Sequence, residues 1–126
     1  MLQEWTEPPP MSATAPEPAL TSSNATLWLA YRIARDPHHC AVIRFHHVAR
    51  HAWGASPASQ GVETAGELPR GSFYEVPAGE GSGVRERRWL VTFPDAILDV
   101  RAADAEVVLR AAAALTPADA LAALLA

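Results

Sequence analysis

Apolar and polar residues alternate along two segments in the first half of the chain. Alternate positions of residues 26–34 ("TLWLAYRIA") hold leucine, tyrosine and isoleucine, and residues 41–45 ("AVIRF") repeat the pattern. A period of two with branched and aromatic residues is typical of strands. The intervening "DPHH" (36–39) is typical of a turn. These residues therefore predict an antiparallel hairpin.

A second hairpin is predicted further along. Residues 88–93 ("RWLVTF") and 96–102 ("AILDVRA") alternate in the same way, and Pro94 and Asp95 between them favour a tight turn. The short apolar segment "SFYEV" (72–76) predicts one more strand, which would lie centrally in the sheet.

The spacing of apolar residues changes after residue 103. Residues 104–115 ("DAEVVLRAAAAL") match a helical period, with Asp104 in position to cap the helix. Thr116 is a candidate N-cap for a second helix, because Pro117 suits its first turn and Asp119 stands three residues after the cap.

The remaining segments have no regular period. Residues 1–23 are rich in proline and small polar residues, and we expect a disordered tail with Trp5 exposed. Residues 54–71 form a patternless loop, which is either functional or disordered. Residues 24–126 then form a single α+β domain. Its predicted fold is an antiparallel sheet of about five strands, built from two hairpins and a central strand, with C-terminal helices.

Composition excludes several classes of protein. The formal net charge is −4, which argues against nucleic-acid binding, and all ten basic residues are arginine, a bias typical of high-GC bacteria. No apolar run is long enough to span a membrane, and the N-terminus does not resemble a signal peptide. The single cysteine cannot form an internal disulfide. We therefore expect a bacterial cytoplasmic location, with no membrane contact and no cofactor.

All five histidines and Cys40 lie within residues 37–51. Consecutive residues of a strand point to opposite faces, so neither histidine doublet can bind one metal from a strand. His47 and His51 share a strand face but lie roughly 13 Å apart at strand rise. On a helix they would be neighbours. No metal site is predicted, and His46, His47 and His51 are candidates only if residues 46–51 are helical or loop residues fold back beside His47.

No catalytic residue is predicted. Cys40 begins a strand beside His39, where adjacent side chains do not meet, so we expect a small buried thiol. Asp99 and Arg101 share a strand face, and we expect them to pair on the solvent side.

Two features are candidates for binding a partner. Trp28 faces away from its apolar strand neighbours, so either both sheet faces are covered or Trp28 is an exposed anchor. The second feature is a local basic patch formed by Arg85, Arg87 and Arg88, which could bind an acidic partner, although a solvated strand end is the commoner structure.

The segments "LWLAYRIA", "AVIRFHHV", "FYEV" and "RRWLVTFPDAILDV" occur in that order over residues 26–101. Together they resemble a group of small uncharacterised bacterial proteins with an AVVRF…TFHD strand pattern. Thr92, Phe93 and Asp95 match the last motif, with Pro94 in place of its histidine. The group's Asn-Asp-Glu and His-Pro-Leu segments have no counterpart here, and the resemblance implies no known activity.

The sequence supports two functional hypotheses. The first is a small non-enzymatic module that binds a protein partner or self-associates. The alternative is a metal-binding or hydrolytic protein that uses the histidines of residues 38–51, with Glu75 or Asp95 nearby.

Overall fold

The described part of the chain is mostly antiparallel strand. A computed structural model describes residues 3–36, 38–54, 71–76 and 87–126. Within these ranges the elements are β1 (Gln3–Glu4), β2 (Ala19–Ser23), β3 (Thr26–Arg32), β4 (His39–His46), β5 (Arg50–Gly54), β6 (Ser72–Val76), β7 (Arg87–Thr92), β8 (Ile97–Ala102), β9 (Asp104–Ala113) and the helix α1 (Pro117–Leu125).

The strands form two sheets. One has the order β1-β6-β7-β8-β5 and the other β2-β3-β4-β9, and all pairs are antiparallel. The predicted α+β class with antiparallel strands and a C-terminal helix is confirmed. The prediction of one five-stranded sheet is wrong, since the hairpin β3–β4 and the hairpin β7–β8 belong to different sheets.

The main core lies between the two sheets. Alternate residues of β3 and β4 point from one sheet, and alternate residues of β6, β7 and β8 point from the other, as a period of two requires. Two facing apolar surfaces are buried when the sheets stack, which is why the hairpins do not share a sheet. The core consists of Met11, Leu27, Leu29, Tyr31, Ile33, Ala41, Ile43, Phe45, Phe73, Trp89, Val91, Phe93, Leu98, Val100 and Ala102.

Helix α1 covers part of the outer face of the four-stranded sheet. Its buried residues Ala120 and Leu121 pack against Ala30, Cys40 and Val42. The predicted start of this helix is confirmed, because the Thr116 side chain caps it by accepting a hydrogen bond from the backbone N–H of residue 119. Within the described residues, α1 is the only helix, and at nine residues it is too short to cross a membrane.

The prediction of a disordered N-terminal tail is wrong for residues 3–23. β1 pairs with β6, β2 pairs with β3, and Met11 is 4 % exposed. Trp5, expected to be exposed, packs against the main core. The prolines lack a backbone donor but keep their carbonyl acceptors. The Tyr31 hydroxyl donates to the Pro9 carbonyl at 2.6 Å, and Arg32 N–H donates to that of Pro16 at 2.8 Å.

The predicted helix at residues 104–115 is also wrong, because these residues form β9 instead. β9 pairs with β4, but the register shifts twice, and Val108 is left opposite no residue between the pairs Ile43–Val107 and Val42–Leu109. Extra residues of this kind are β-bulges, and they interrupt the period of two. Because the bulges interrupt the alternation of apolar and polar residues, the alanines of this segment indicate a helix from the sequence alone. Asp104, the predicted helix cap, is the first residue of this strand.

The undecided segment after β4 forms no helix. Residues 47–49 make a bend, and β5 then joins the other sheet beside β8. Residues 55–70 of the predicted loop and Arg85 of the predicted basic patch lie outside the described residues.

Candidate functional site

The histidine-rich segment is divided between the two sheets. His39 and His46 stand at the two ends of β4, His47 lies in the bend with a φ of 53°, and His51 lies on β5. Because residues 46–51 are not helical, the arrangement that would bring His47 and His51 together is not formed. Among the described residues, no group of three or more histidine, cysteine, aspartate or glutamate side chains could hold a metal ion.

His46 belongs to a charged ladder on β4 and β9. Its Nε2 lies 2.7 Å from Glu106 Oε1, and Arg44 Nε donates to the same oxygen at 2.9 Å. Arg44 and Glu106 face each other directly in the register of the two strands. The hydrogen bonds from Arg44 and His46 hold the pKa of Glu106 below its ordinary value. This histidine is therefore hydrogen-bonded beside the surface ion pair of Arg44 and Glu106.

Cys40 has no access to solvent. Its side chain lies beneath α1 with Val42 and Leu121, and burial raises the pKa of its thiol. A thiol with a raised pKa is a poor nucleophile. This geometry agrees with the expectation of a structural cysteine.

The two described arginines of the predicted basic patch point to opposite faces of β7. Arg87 pairs with Glu75 and Asp104 and lies 4.8 Å from the centre of the Trp89 ring. Arg88 forms two hydrogen bonds with Asp99, at 2.9 and 2.6 Å. The expected pair between Asp99 and Arg101 at the solvent is therefore wrong.

That Arg88–Asp99 pair is nearly buried, with side-chain exposures of 12 % and 8 %. Both oxygens of Asp99 are used by one guanidinium, in the bidentate geometry that arginine and a carboxylate favour. Both arginines of β7 are therefore paired with carboxylates.

Trp28, the predicted anchor, is only partly exposed. It packs against the cluster beneath α1, and its cross-strand neighbours are Thr21 and Arg44. The first possibility raised from the sequence applies, since α1 covers part of this sheet face, whereas the anchor role of Trp28 stays a prediction.

The exposed tryptophan is Trp53, on β5. It is 45 % exposed, and its ring centre lies 5.2 Å from that of the buried Phe93, so the indole has a fixed support. Within the described residues β5 pairs only with β8, and its other edge has no neighbouring strand. An exposed aromatic side chain thus stands on the edge strand of the described sheet.

Two arginines face each other across β5 and β8. Arg50 and Arg101 are directly opposite in the register, and they share a face with Ala52 and Asp99. Neither guanidinium has a hydrogen bond or an ion pair among the described residues. A pocket of about 30 Å³ lies between these four residues and His51.

A larger groove continues from the start of β5. It has a volume of about 340 Å³ and is lined by residues 48–51 and by residues 22–27, which include the β2–β3 turn. Asn24 and Ala25 in this turn both have positive φ, and Val48 N–H donates to the Ala25 carbonyl at 2.7 Å. The groove and the small pocket share Arg50 and His51 in their linings. We name β5, Arg101 and this groove the β5 edge.

Sequence reasoning did not single out the β5 edge. Trp53 follows "HVARHA", a segment with no clear period, and Arg50 and Arg101 are fifty-one positions apart, so only the strand pairing brings them together. A tryptophan flanked by small residues, in "HAWGA", was the one available signal.

Comparisons with known proteins add no family to this geometry. No protein-family model matches the chain, and no curated protein or solved structure is significantly similar to it.

Proposed function

We propose that the protein is a non-enzymatic binding module that holds an extended segment of another protein along the β5 edge. The observation that carries this proposal is Trp53, an indole that packs on Phe93 and is 45 % exposed on a strand that, among the described residues, pairs on one side only. Tryptophan is among the residues that contribute most to binding energy at protein interfaces.

The open side of β5 supplies the second part of the argument. An extended peptide can pair with a free strand edge, where main-chain hydrogen bonds give affinity and alternate side chains give specificity. Proteins usually protect such edges with charge or with a covering element. β5 is only five residues long and carries Arg50, and short charged edge strands discourage edge-to-edge pairing of two copies. A different partner is therefore favoured over self-association.

The expected origin and cellular location of the protein follow from its sequence. Arginine-only basic residues and a single cysteine support a bacterial cytoplasmic protein. The resemblance to small bacterial proteins with the AVVRF…TFHD pattern stays a prediction and assigns no activity.

The test uses peptides, since the partner is unidentified. A display library of random ten-residue peptides is panned against the full chain, and dissociation constants of selected peptides are measured by calorimetry. Trp53→Ala should weaken binding about 10- to 30-fold, the effect of an anchor worth about 2 kcal/mol. Leu115→Ala is the matched control, because Leu115 is 84 % exposed but lies beside α1, and it should leave binding unchanged.

Two further measurements distinguish strand pairing from other modes of peptide binding and from self-association. N-methylation of alternate peptide amides removes backbone donors without changing side chains, and it should abolish binding if the peptide pairs as a strand. The proposal fails if selected peptides bind the two variants equally. Light scattering across a concentration series detects the remaining possibility: a dimer that Trp53→Ala dissociates would assign the β5 edge to self-association.

A further inference from the structure

Among the described residues, two positive charges of the β5 edge have no acidic partner. Arg50 and Arg101 are directly opposite each other in an antiparallel pair, where side chains on the same face approach closely. Like charges in this position destabilise a sheet. The arrangement is unusual in a chain with a net charge of −4, where carboxylates outnumber the basic residues.

The described carboxylate that lines the pocket of the two arginines is already paired. Asp99 shares their face and lines the same pocket, but both its oxygens accept hydrogen bonds from Arg88. Within the described ranges Asp99 is paired with Arg88, so Arg50 and Arg101 remain as two positive charges that line a small open pocket.

The pocket between the arginines is small, about 30 Å³, and open on one side, so an anion can approach it from solvent. Guanidinium groups recognise planar carboxylates through paired hydrogen bonds.

Resting on the proposed function, we infer that the segment bound at the β5 edge carries an aspartate or glutamate opposite Arg50. In an added antiparallel strand, the residue opposite Arg50 shares the face of Arg50 and Arg101, and its carboxylate enters their pocket. The residue opposite Trp53 comes three positions earlier and points to the other face, as the pleat requires. The recognised pattern is therefore an apolar residue, any two residues, and then an acidic residue.

The test replaces the acid in the peptide and the arginines in the protein. The tightest selected peptide is synthesised with Glu and with Gln at each position in turn. Only the position three residues after the apolar anchor should respond, with Glu binding about tenfold more tightly than Gln. In the Arg50→Gln and Arg101→Gln proteins, the ratio of the dissociation constants of the Gln and Glu peptides should fall below twofold. A double-mutant cycle gives this loss when the arginine and the acidic residue are in direct contact. Arg35→Gln is the control, because Arg35 is exposed between β3 and β4, and it should keep the full ratio.

The possible failures are distinguishable. If Trp53→Ala weakens binding but Glu and Gln peptides bind equally at every position, the acidic segment is refuted while the binding edge stands. If no peptide binds in a Trp53-dependent way, both proposals fail. A peptide with phosphoserine in the responding position that binds more than tenfold more tightly than Glu would overturn the carboxylate in favour of a phosphate.

Discussion

Replacing Trp5 with alanine tests whether the N-terminal segment belongs to the folded structure. The Trp5 ring lies 6.0 to 6.3 Å from the ring centres of Phe45, Phe73 and Trp89, and its backbone N–H donates to the Phe73 carbonyl at 2.9 Å. Full burial of a tryptophan removes about 150–250 Å² from water. At about 25 cal/mol per Å² this corresponds to about 4–6 kcal/mol.

Because Trp5 is only partly buried, we expect Trp5→Ala to lower the free energy of unfolding by about 2–4 kcal/mol. That is a large share of the about 5–15 kcal/mol that holds a typical domain together. Urea denaturation followed by far-ultraviolet circular dichroism measures the change without relying on tryptophan fluorescence. Leu115→Ala, at an 84 % exposed site, should change stability by less than about 0.5 kcal/mol. If the two variants are equally stable, Trp5 does not pack in the core and the reasoning is refuted.

Two further predictions concern a turn and a titrating carboxylate. Ala25 has a φ of 63°, in the left-handed region that costs a side-chain-bearing residue about 1–2 kcal/mol, so Ala25→Gly should stabilise the protein by about 0.5–1 kcal/mol after the entropy of glycine is subtracted. Ala111→Gly in β9, where φ is not positive, should instead destabilise it by about 0.5–1 kcal/mol, and thermal melting that shows the same sign for both would contradict the argument. The pKa of Glu106 is lowered, so its contribution to stability is present above the ordinary value of 4.5 and is lost as the pH falls through the folded value. Melting temperatures below pH 5 should therefore fall more steeply for the wild type than for Glu106→Gln, and parallel profiles would disprove this role.

Elements that depend on local patterns were predictable from the sequence. The strand at residues 72–76 and the capped helix after Thr116 were found at their observed positions, because alternation and capping are read within a few neighbouring residues. Both hairpins were found for the same reason.

Elements that depend on distant partners were not predictable. Residues 3–23 have too little apolar surface to fold alone, and they are ordered by contacts with strands that come later in the chain. β9 was mistaken for a helix because its two bulges are specified by pairing with β4. The arginine pair of the β5 edge could not be predicted for the same reason, since strand pairing alone places Arg50 opposite Arg101.

The position of Trp5 also constrains how the chain folds while it is being synthesised. Its three aromatic neighbours come from β4, β6 and β7, and the last of them, Trp89, is made long after Trp5 leaves the ribosome. At about 5–20 residues per second, the interval is roughly 4–17 s. β2 can pair with β3 once residue 32 is made, but the aromatic cluster around Trp5 stays incomplete throughout that time, so the indole is open to chaperones and to unwanted association. Completion of β7 is the step that ends this exposure.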